Sequence, residues 1–197
     1  MCGIAGFSSF EADFLPDAPA WTRVLERMRT AIAHRGHDQT GEYLRSHVGL
    51  AHTRLSIRAL SGGAQPMVRR RDGTEVAIVY NGEIYNAEEL KRDLIGRGYT
   101  FETHSDTEVI LCGYMEYGAG VARLLNGIFA FVIWDGARDT MLLCRDRMGV
   151  KPLFYALEGD TLVFGSEPKA LFSHPRIQPR ADLDSFREIF GSNPPRS

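Results

Sequence analysis

GIFAFVIWD at residues 127–135, TMLLCRD at 140–146, LFYAL at 153–157 and TLVFGSE at 161–167 follow one another as short apolar or alternating runs of strand length. The first two are joined across Gly136 and the last two across Glu158-Gly159-Asp160, turn chemistry that predicts antiparallel hairpins. Upstream, the apolar start from Ile4 to Phe7 and the segments 42–44, 48–57 and 75–80 are also strand-like. Helical spacing takes over between them. Trp21, Val24, Leu25, Met28 and Ile32 mark an amphipathic helix over 18–33, with Gly36 just beyond its end. Asn86 with Glu89 and Ser105 with Glu108 have the capping-box spacing, which predicts helices near 87–96 and 106–117. Shorter helices are predicted near 168–172 and 182–190. Hairpins mixed with segregated helix pairs imply an α+β layered architecture rather than a doubly wound parallel sheet, although periodicity does not count the layers.

The composition narrows the function classes. At 197 residues, 44% hydrophobic and 24% charged, the chain has the makings of one well-buried core and no apolar run of membrane-spanning length. The formal charge of -2 and a single basic cluster, Arg69-Arg70-Arg71, followed at once by Asp72, do not make the basic stripe of a nucleic-acid binder; the cluster reads as a solvated loop. Three cysteines, Cys2, Cys112 and Cys144, are an odd number without close spacing, against both a disulfide framework and a zinc site. The six histidines have no metal-ligand spacing either, so no metal is expected. With no secretory leader pattern at the start, a cytoplasmic location is expected. The final 191–197, with two consecutive prolines, reads as a linker or a truncated end.

Cys2 is the first candidate for chemistry. Removal of Met1 would place a thiol and a free α-amine on one residue, a nucleophile with a built-in base, because an α-amine titrates at about 7.7–8.0. Taken alone, a cysteine at position 2 is more simply a packing residue, and other motifs must decide. Cys112 and Cys144, within a predicted helix and strand, read as packing residues, and Ser61-Gly62-Gly63 as a turn. Asn81-Gly82 follows an apolar strand, so a side-chain amide and a backbone N–H can converge on a developing oxyanion, unless the pair is simply a turn. Arg54 suits a bidentate carboxylate contact, and Asp106, near a helix start, can accept from an ammonium with help from Glu83. In isolation, Arg54 reads equally as a surface ion pair and Asp106 as a helix-start carboxylate.

The opening Cys2-Gly3-Ile4-Ala5-Gly6-Phe7 resembles that of the class II glutamine amidotransferases, which belong to the N-terminal nucleophile hydrolases. Further segments resemble the same family in the same order: His34-Arg35-Gly36, AHTRLSI at 51–57, YNGEIYN at 80–86, SDTE at 105–108 and RDRMGVKPLFY at 145–155. The RLSI, NGEIYN and RDRxGxKPLFY combination is similar to the asparagine-synthetase branch, and the match covers residues 2–175. Residues 176–197 then form an extension leading toward a synthetase domain that lies outside this sequence.

The resemblance implies a four-layer αββα sandwich of two antiparallel sheets, and hydrolysis of glutamine to glutamate and ammonia through a thioester on Cys2. Asn81 and Gly82 would form the oxyanion hole, and Arg54, Ile57, Glu83 and Asp106 would bind glutamine. It implies no cofactor in this domain; ATP and Mg belong to the missing synthetase domain, where ammonia would amidate aspartate. The SGGxDS-type loop of such a domain is absent from these 197 residues. The expected partners are glutamine and that domain, with no nucleic acid and no membrane, and a homodimer is left open. Three positions depart from the family pattern: His37 for Pro, Pro168 for Ile, and Arg58 for a small apolar residue beside the pocket. Two other readings stay open: a glutaminase serving a different acceptor acid, and a non-catalytic domain with an interface role.

Overall fold

A strand buried on both faces reads as a continuous apolar run, whereas one with a wet face alternates. GIFAFVIWD is the first kind, and the computed structural model, which describes residues 1–55, 63–71 and 73–180, shows why. In chain order the strands are β1 (Gly3–Ser9), β2 (Gln39–Arg45), β3 (Val48–Arg54), β4 (Met67–Arg71), β5 (Thr74–Ile84), β6 (Gly127–Asp135), β7 (Thr140–Arg145), β8 (Phe154–Glu158) and β9 (Thr161–Gly165). The helices are α1 (Ala18–Ala31), α2 (Ala87–Gly96), α3 (Asp106–Tyr117), α4 (Val121–Leu124) and α5 (Pro168–Phe172). One sheet has the order β2-β3-β1-β9-β8 and the other β4-β5-β6-β7, with antiparallel pairing throughout.

Three apolar clusters fill the spaces between four layers. Ile4, Val48, Leu50, Ala77, Val79, Ala130, Val132, Trp134 and Phe164 lie between the sheets. Their neighbours point the other way, as period-two alternation requires. Phe129, Phe131 and Ile133 of β6, with Ile78 of β5, pack against Leu90, Leu94, Ile110 and Leu111 of α2 and α3. Ala5, Phe7, Ala51 and Val163 of the first sheet pack against Val24, Leu25 and Met28 of α1 and against Ala170 and Leu171 of α5. The order helix, sheet, sheet, helix is the αββα sandwich. Each large side chain removed from water here contributes about 1.5–3 kcal/mol, so Val132→Asp on the inner face would break the sheet–sheet layer. Among the described residues no helix is long and apolar enough to cross a membrane.

Several local expectations change. Arg69, Arg70 and Arg71 are not in a loop but on β4, an edge strand, where charged side chains are well tolerated and discourage further pairing. Arg69 donates to the buried Glu108 at 2.6 Å, Arg70 pairs with Glu75, and the Arg71 guanidinium lies 4.1 Å from the Tyr99 ring centre. β5 runs on to Ile84, so Asn81 and Gly82 are inside a strand and not after it. Asn86 does not close a capping box: its side chain instead bridges Leu124 O and Asn126 N. Ser105 does cap α3, accepting from Thr107 N at 3.2 Å, but Glu108 stays buried and binds the 102–103 backbone and Arg69, while Ser105 N donates to Thr103 Oγ1. The strand predicted over 48–57 ends at Arg54. Ile57, Arg58, Ser61 and Gly62, the helix predicted over 182–190, and the end of the chain from 181 lie outside the described residues.

Candidate functional site

At one end of the sandwich the start of β1 and the end of β3 face the second half of β5 and the start of α3 across a cavity of about 370 Å³. Its walls include Cys2, Arg54, Asn81, Gly82, Glu83 and Asp106, so six of the seven residues singled out from sequence are brought together. The seventh, Ile57, lies outside the described residues.

β1 carries Cys2 to the edge of this cavity. The Leu55 N–H donates to Cys2 Sγ at 3.4 Å, and Sγ lies 3.7 Å from Leu55 O, so the thiol is held by the residue that follows Arg54. Beneath it, α1 ends in a short turn over 33–35, and Gly36 brings the chain directly against the Arg54 backbone. A Cβ at position 36 would stand 2.5 Å from Arg54 C, so only glycine allows this approach. The turn sets Arg35 under the start of β1, where its Nε donates to Cys2 O at 3.1 Å. Arg54 itself is oriented by Gln39, whose Oε1 accepts from Nη1 at 3.0 Å.

The opposite wall owes its character to where β4 stops. β4 pairs with β5 only as far as Ile78, so beyond it the N–H groups on that side of β5 must find other partners or point into the cavity. Tyr80 N donates to Gln65 Oε1 at 2.6 Å, and Ile84 N donates to Asp106 Oδ2 at 3.1 Å. Gly82 lies between them and shares their direction, since alternate N–H groups along a strand point the same way. Its opposite number, Phe129, turns its own N–H and carbonyl to Asp146, which makes Gly82 and Phe129 a non-hydrogen-bonded pair. The Gly82 N–H therefore faces the cavity. A Cβ at Gly82 would meet Ile128 O at 2.4 Å, so no side chain fits there.

Beside it, Asn81 is 3% exposed and its Nδ2 has no hydrogen-bond partner. A buried amide donor without a partner costs roughly 1–3 kcal/mol, and among the described residues only three buried side-chain polar atoms are in that position. Two donors, one side-chain and one backbone, thus converge on a cavity that also holds a thiol, the layout for stabilising an oxyanion at an attacked carbonyl. A sequence model of the glutamine amidotransferase domain family matches residues 1–196.

The chain belongs to that family.

It is 42% identical over 197 residues to the glutamine-hydrolysing asparagine synthetase 3 of Bacillus subtilis, covering 100% of this chain and 31% of the relative. It is 44% identical over 176 residues to asparagine synthetase 2 of the same organism, covering 89% of this chain and 23% of the relative. The amidotransferase domain therefore spans a third or less of these curated relatives. In fold it matches the glutamine phosphoribosylpyrophosphate amidotransferase of B. subtilis, solved with ADP and GMP, with a TM-score of 0.69 at 22% identity over 86% of this chain and 43% of that one. The expected sandwich of the N-terminal nucleophile hydrolases is the fold this domain adopts.

The remaining polar groups of the amidotransferase domain show how the cavity is held open. Asp106, the first residue of α3, accepts from Tyr80 Oη at 2.7 Å as well as from Ile84 N, which fixes its carboxylate at the cavity wall. Burial, and then the negative charge of Asp106, keep the Tyr80 hydroxyl protonated well above the usual tyrosine range. Glu108, 3% exposed, accepts from Glu102 N, Thr103 N and Thr103 Oγ1 and pins the loop that delivers Asp106; burial works against its charge, but these donors hold its carboxyl below the usual value.

His52 of β3 joins the two sheets by donating from Nε2 to Tyr80 O at 3.2 Å, next to Asn81. Burial pushes its pKa down to about 4, so the ring is neutral at pH 7. Asp146, of the RDR segment, gathers the N–H groups of Phe129, Met148, Val150 and Lys151 and so folds the loop that brings Lys151 to the cavity. Arg35, His52, Gln65 and Tyr80 were not singled out from sequence; Arg35, His52 and Tyr80 lie inside quoted motifs, which was the signal available, whereas Gln65 lies in none. The expectation of packing roles fits Cys112, which is fully buried, and Cys144, which is half-buried on β7; burial raises both thiols.

Proposed function

We propose that this domain hydrolyses the side-chain amide of glutamine at Cys2. The observation that carries the reading is the buried, unpartnered Asn81 Nδ2 in the same cavity as the Cys2 thiol. Once Met1 is removed, the Cys2 α-amine takes the thiol proton, and sulfur attacks the side-chain carbonyl carbon of glutamine. The oxyanion accepts from Asn81 Nδ2 and Gly82 N–H. Collapse breaks the C–N bond, the α-ammonium proton passes to nitrogen, and ammonia leaves a γ-glutamyl thioester. Water then adds to the thioester and releases glutamate and the thiol. Arg54 holds the substrate α-carboxylate, and Asp106 and Glu83 its α-ammonium; Ile57, read from sequence as a further glutamine-binding residue, lies outside the described residues.

In this reading residues 2–175 are the glutaminase unit and 176–197 lead to a synthetase domain, where ATP and Mg support amidation of aspartate by the released ammonia. The support is the identity to two glutamine-hydrolysing asparagine synthetases that are much longer than this chain. No cofactor serves the glutaminase unit itself. Three unpaired cysteines fit a reducing, cytoplasmic setting. The test is glutamate release by protein whose intact mass shows Met1 removed. Cys2→Ala is expected to abolish it, by at least about 10⁴-fold in kcat, while Cys112→Ala and Cys144→Ala retain it. Equal loss in all three variants would sink the assignment.

A further inference from the structure

Cys2 offers three polar groups, and hydrolysis as read above needs two of them, the thiol and the α-amine. The third, the carbonyl oxygen, takes no part in that chemistry and can be gripped without cost to it. Arg35 donates to it through Nε at 3.1 Å and, through Nη1, to Glu167 Oε1 at 2.9 Å. Its side chain is 8% exposed, so a cation has been taken into the protein beside the first strand residue and needs a counter-charge there. Glu167 supplies it from the far end of the described sequence. β9 pairs with β1 up to Gly165 opposite Ala5, and the pairing continues: Ser166 N donates to Ile4 O at 2.8 Å, and Ile4 N donates to Ser166 Oγ at 3.0 Å. That brings Glu167 level with the start of β1, while Pro168, fixed at the first position of α5, holds Glu167 in extended backbone.

We propose that Arg35 and Glu167 are a positioning clamp for Cys2, which grips the nucleophilic residue by its carbonyl oxygen and itself engages neither the thiol nor the α-amine. The clamp rests on the reading of Cys2 as the nucleophile. Chain termini fray unless tied down, and a terminal nucleophile cannot be tied by its own amine and still use it as a base. Glu167 is itself held on several sides, by His34 Nε2 at 2.8 Å and Lys169 Nζ at 3.0 Å besides Arg35. Although burial opposes its charge, the hydrogen bonds from Arg35, Lys169 and His34 bring its carboxyl down to about 2, so the clamp stays closed across the physiological range. Neither residue touches the cavity, which makes both positioning residues and not catalytic ones.

The experiment compares Glu167→Ala, Glu167→Gln and Arg35→Lys in the whole chain, with Met1 removal confirmed by intact mass and melting temperature recorded. A displaced nucleophile costs turnover, so Glu167→Ala is expected to lower kcat on the order of 100-fold with KM within about threefold. Glu167→Gln keeps an acceptor for Arg35 and should recover at least about tenfold of that loss. Arg35→Lys keeps the charge but, with one ammonium, cannot reach both partners, so kcat falls again at an unchanged melting temperature. Should Glu167→Ala fail to fold, the other two variants decide alone. A fully active Arg35→Lys, a Glu167→Ala loss confined to KM, or losses that track the folded fraction would overturn the clamp. A Cys2→Ala control separates the two readings: activity in that variant removes the nucleophile itself, whereas an inactive Cys2→Ala beside a fully active Glu167→Ala removes only the clamp.

Discussion

On the cavity wall built by the first sheet, Cys2 is held at its sulfur by Leu55 and at its carbonyl by Arg35, which is itself tied to Glu167. On the wall built by the second sheet, Asn81 Nδ2 is buried with no partner and Gly82 directs its N–H at open space. The first wall holds its reactive residue at two points, although Arg35 Nη2 beneath it is buried without a partner, and the second leaves the donors that face the cavity unused. The difference follows from the chemistry each wall is proposed to serve. A nucleophile must not move, so its carbonyl, which the reaction does not use, is anchored by Arg35 while Leu55 steadies the sulfur. An oxyanion hole must be empty until charge develops, so its donors forgo partners and the stability those would give. Where strands end makes both possible: β4 stops at the partner of Ile78, which frees one side of β5, while beyond the end of β9 Ser166 still bonds to Ile4 and brings Glu167 toward Cys2.

The largest expected effect, beyond loss of the nucleophile, lies on the incomplete wall. Asn81→Ala removes the proposed oxyanion donor, a kind of group worth about 2.7–4 kcal/mol in the transition state, so kcat is expected to fall roughly 100-fold to 1000-fold with KM nearly unchanged. Because Nδ2 has no partner in the resting protein, the same substitution should not lower the melting temperature as the loss of a satisfied buried amide would. A change confined to KM would instead make Asn81 a ground-state binding group and dissolve the contrast between the walls.

The next effect tests the joint between them. His52 ties β3 to β5 as a neutral ring, with a folded pKa of about 4 caused by burial, opposed by its bond to Tyr80 O and helped by the charge of Arg54. Its unfolded value is the ordinary 6.5. Between those values the unfolded chain binds a proton that the folded chain does not, so stability rises with pH; the contribution is complete above 6.5 and is lost as pH falls toward 4. His174, also fully buried and lowered to about 4, acts in the same direction from the opposite layer, where it stacks against Trp21. Each amounts to something on the order of 3 kcal/mol. Urea unfolding at pH 7, 5.5 and 4.5 should show a steady loss, reduced in His52→Gln; a flat profile would mean that neither ring is held neutral.

How much of this was legible in the sequence depends on distance along the chain. Cys2, Arg54, Asn81, Gly82 and Asp106 lie in contiguous motifs, and all of them line the cavity. Arg35 and Glu167 are 132 positions apart, and nothing in either window announces the other. The hairpins of 127–167 were readable from apolar runs and turns, but not that the first pair joins one sheet and the second pair the other. Asn81 and Gly82 read as strand-ending because both favour turns in isolation; in the fold, pairing with Ala130 and Phe129 overrides that preference. The three arginines of β4 looked like loop for a similar reason, since edge strands carry charge that central strands exclude. The layer count came from family resemblance alone.

The smallest expected effect concerns the substrate's two charges. A free amino acid brings a carboxylate and an ammonium into a half-enclosed cavity, and an ion taken from water without a partner costs several kcal/mol. Arg54 and Asp106 stand on opposite walls, one oriented by Gln39 and the other by Tyr80 and Ile84, so the pocket presents an oriented cation facing an oriented carboxylate. Arg54→Lys keeps the positive charge and loses only the planar two-bond contact, so kcat/KM for glutamine is expected to fall by about 10-fold to 100-fold, carried mainly by KM. Glutamine analogues lacking the α-carboxylate or the α-amine should be poor substrates of the wild type. With Arg54→Ala, the analogue lacking the carboxylate should do no worse than glutamine itself, because the group that distinguished them is gone. If the wild type hydrolysed that analogue as well as glutamine, Arg54 would have no part in substrate choice. The first wall would then serve the nucleophile alone, and the pocket would have to recognise its substrate entirely from the second.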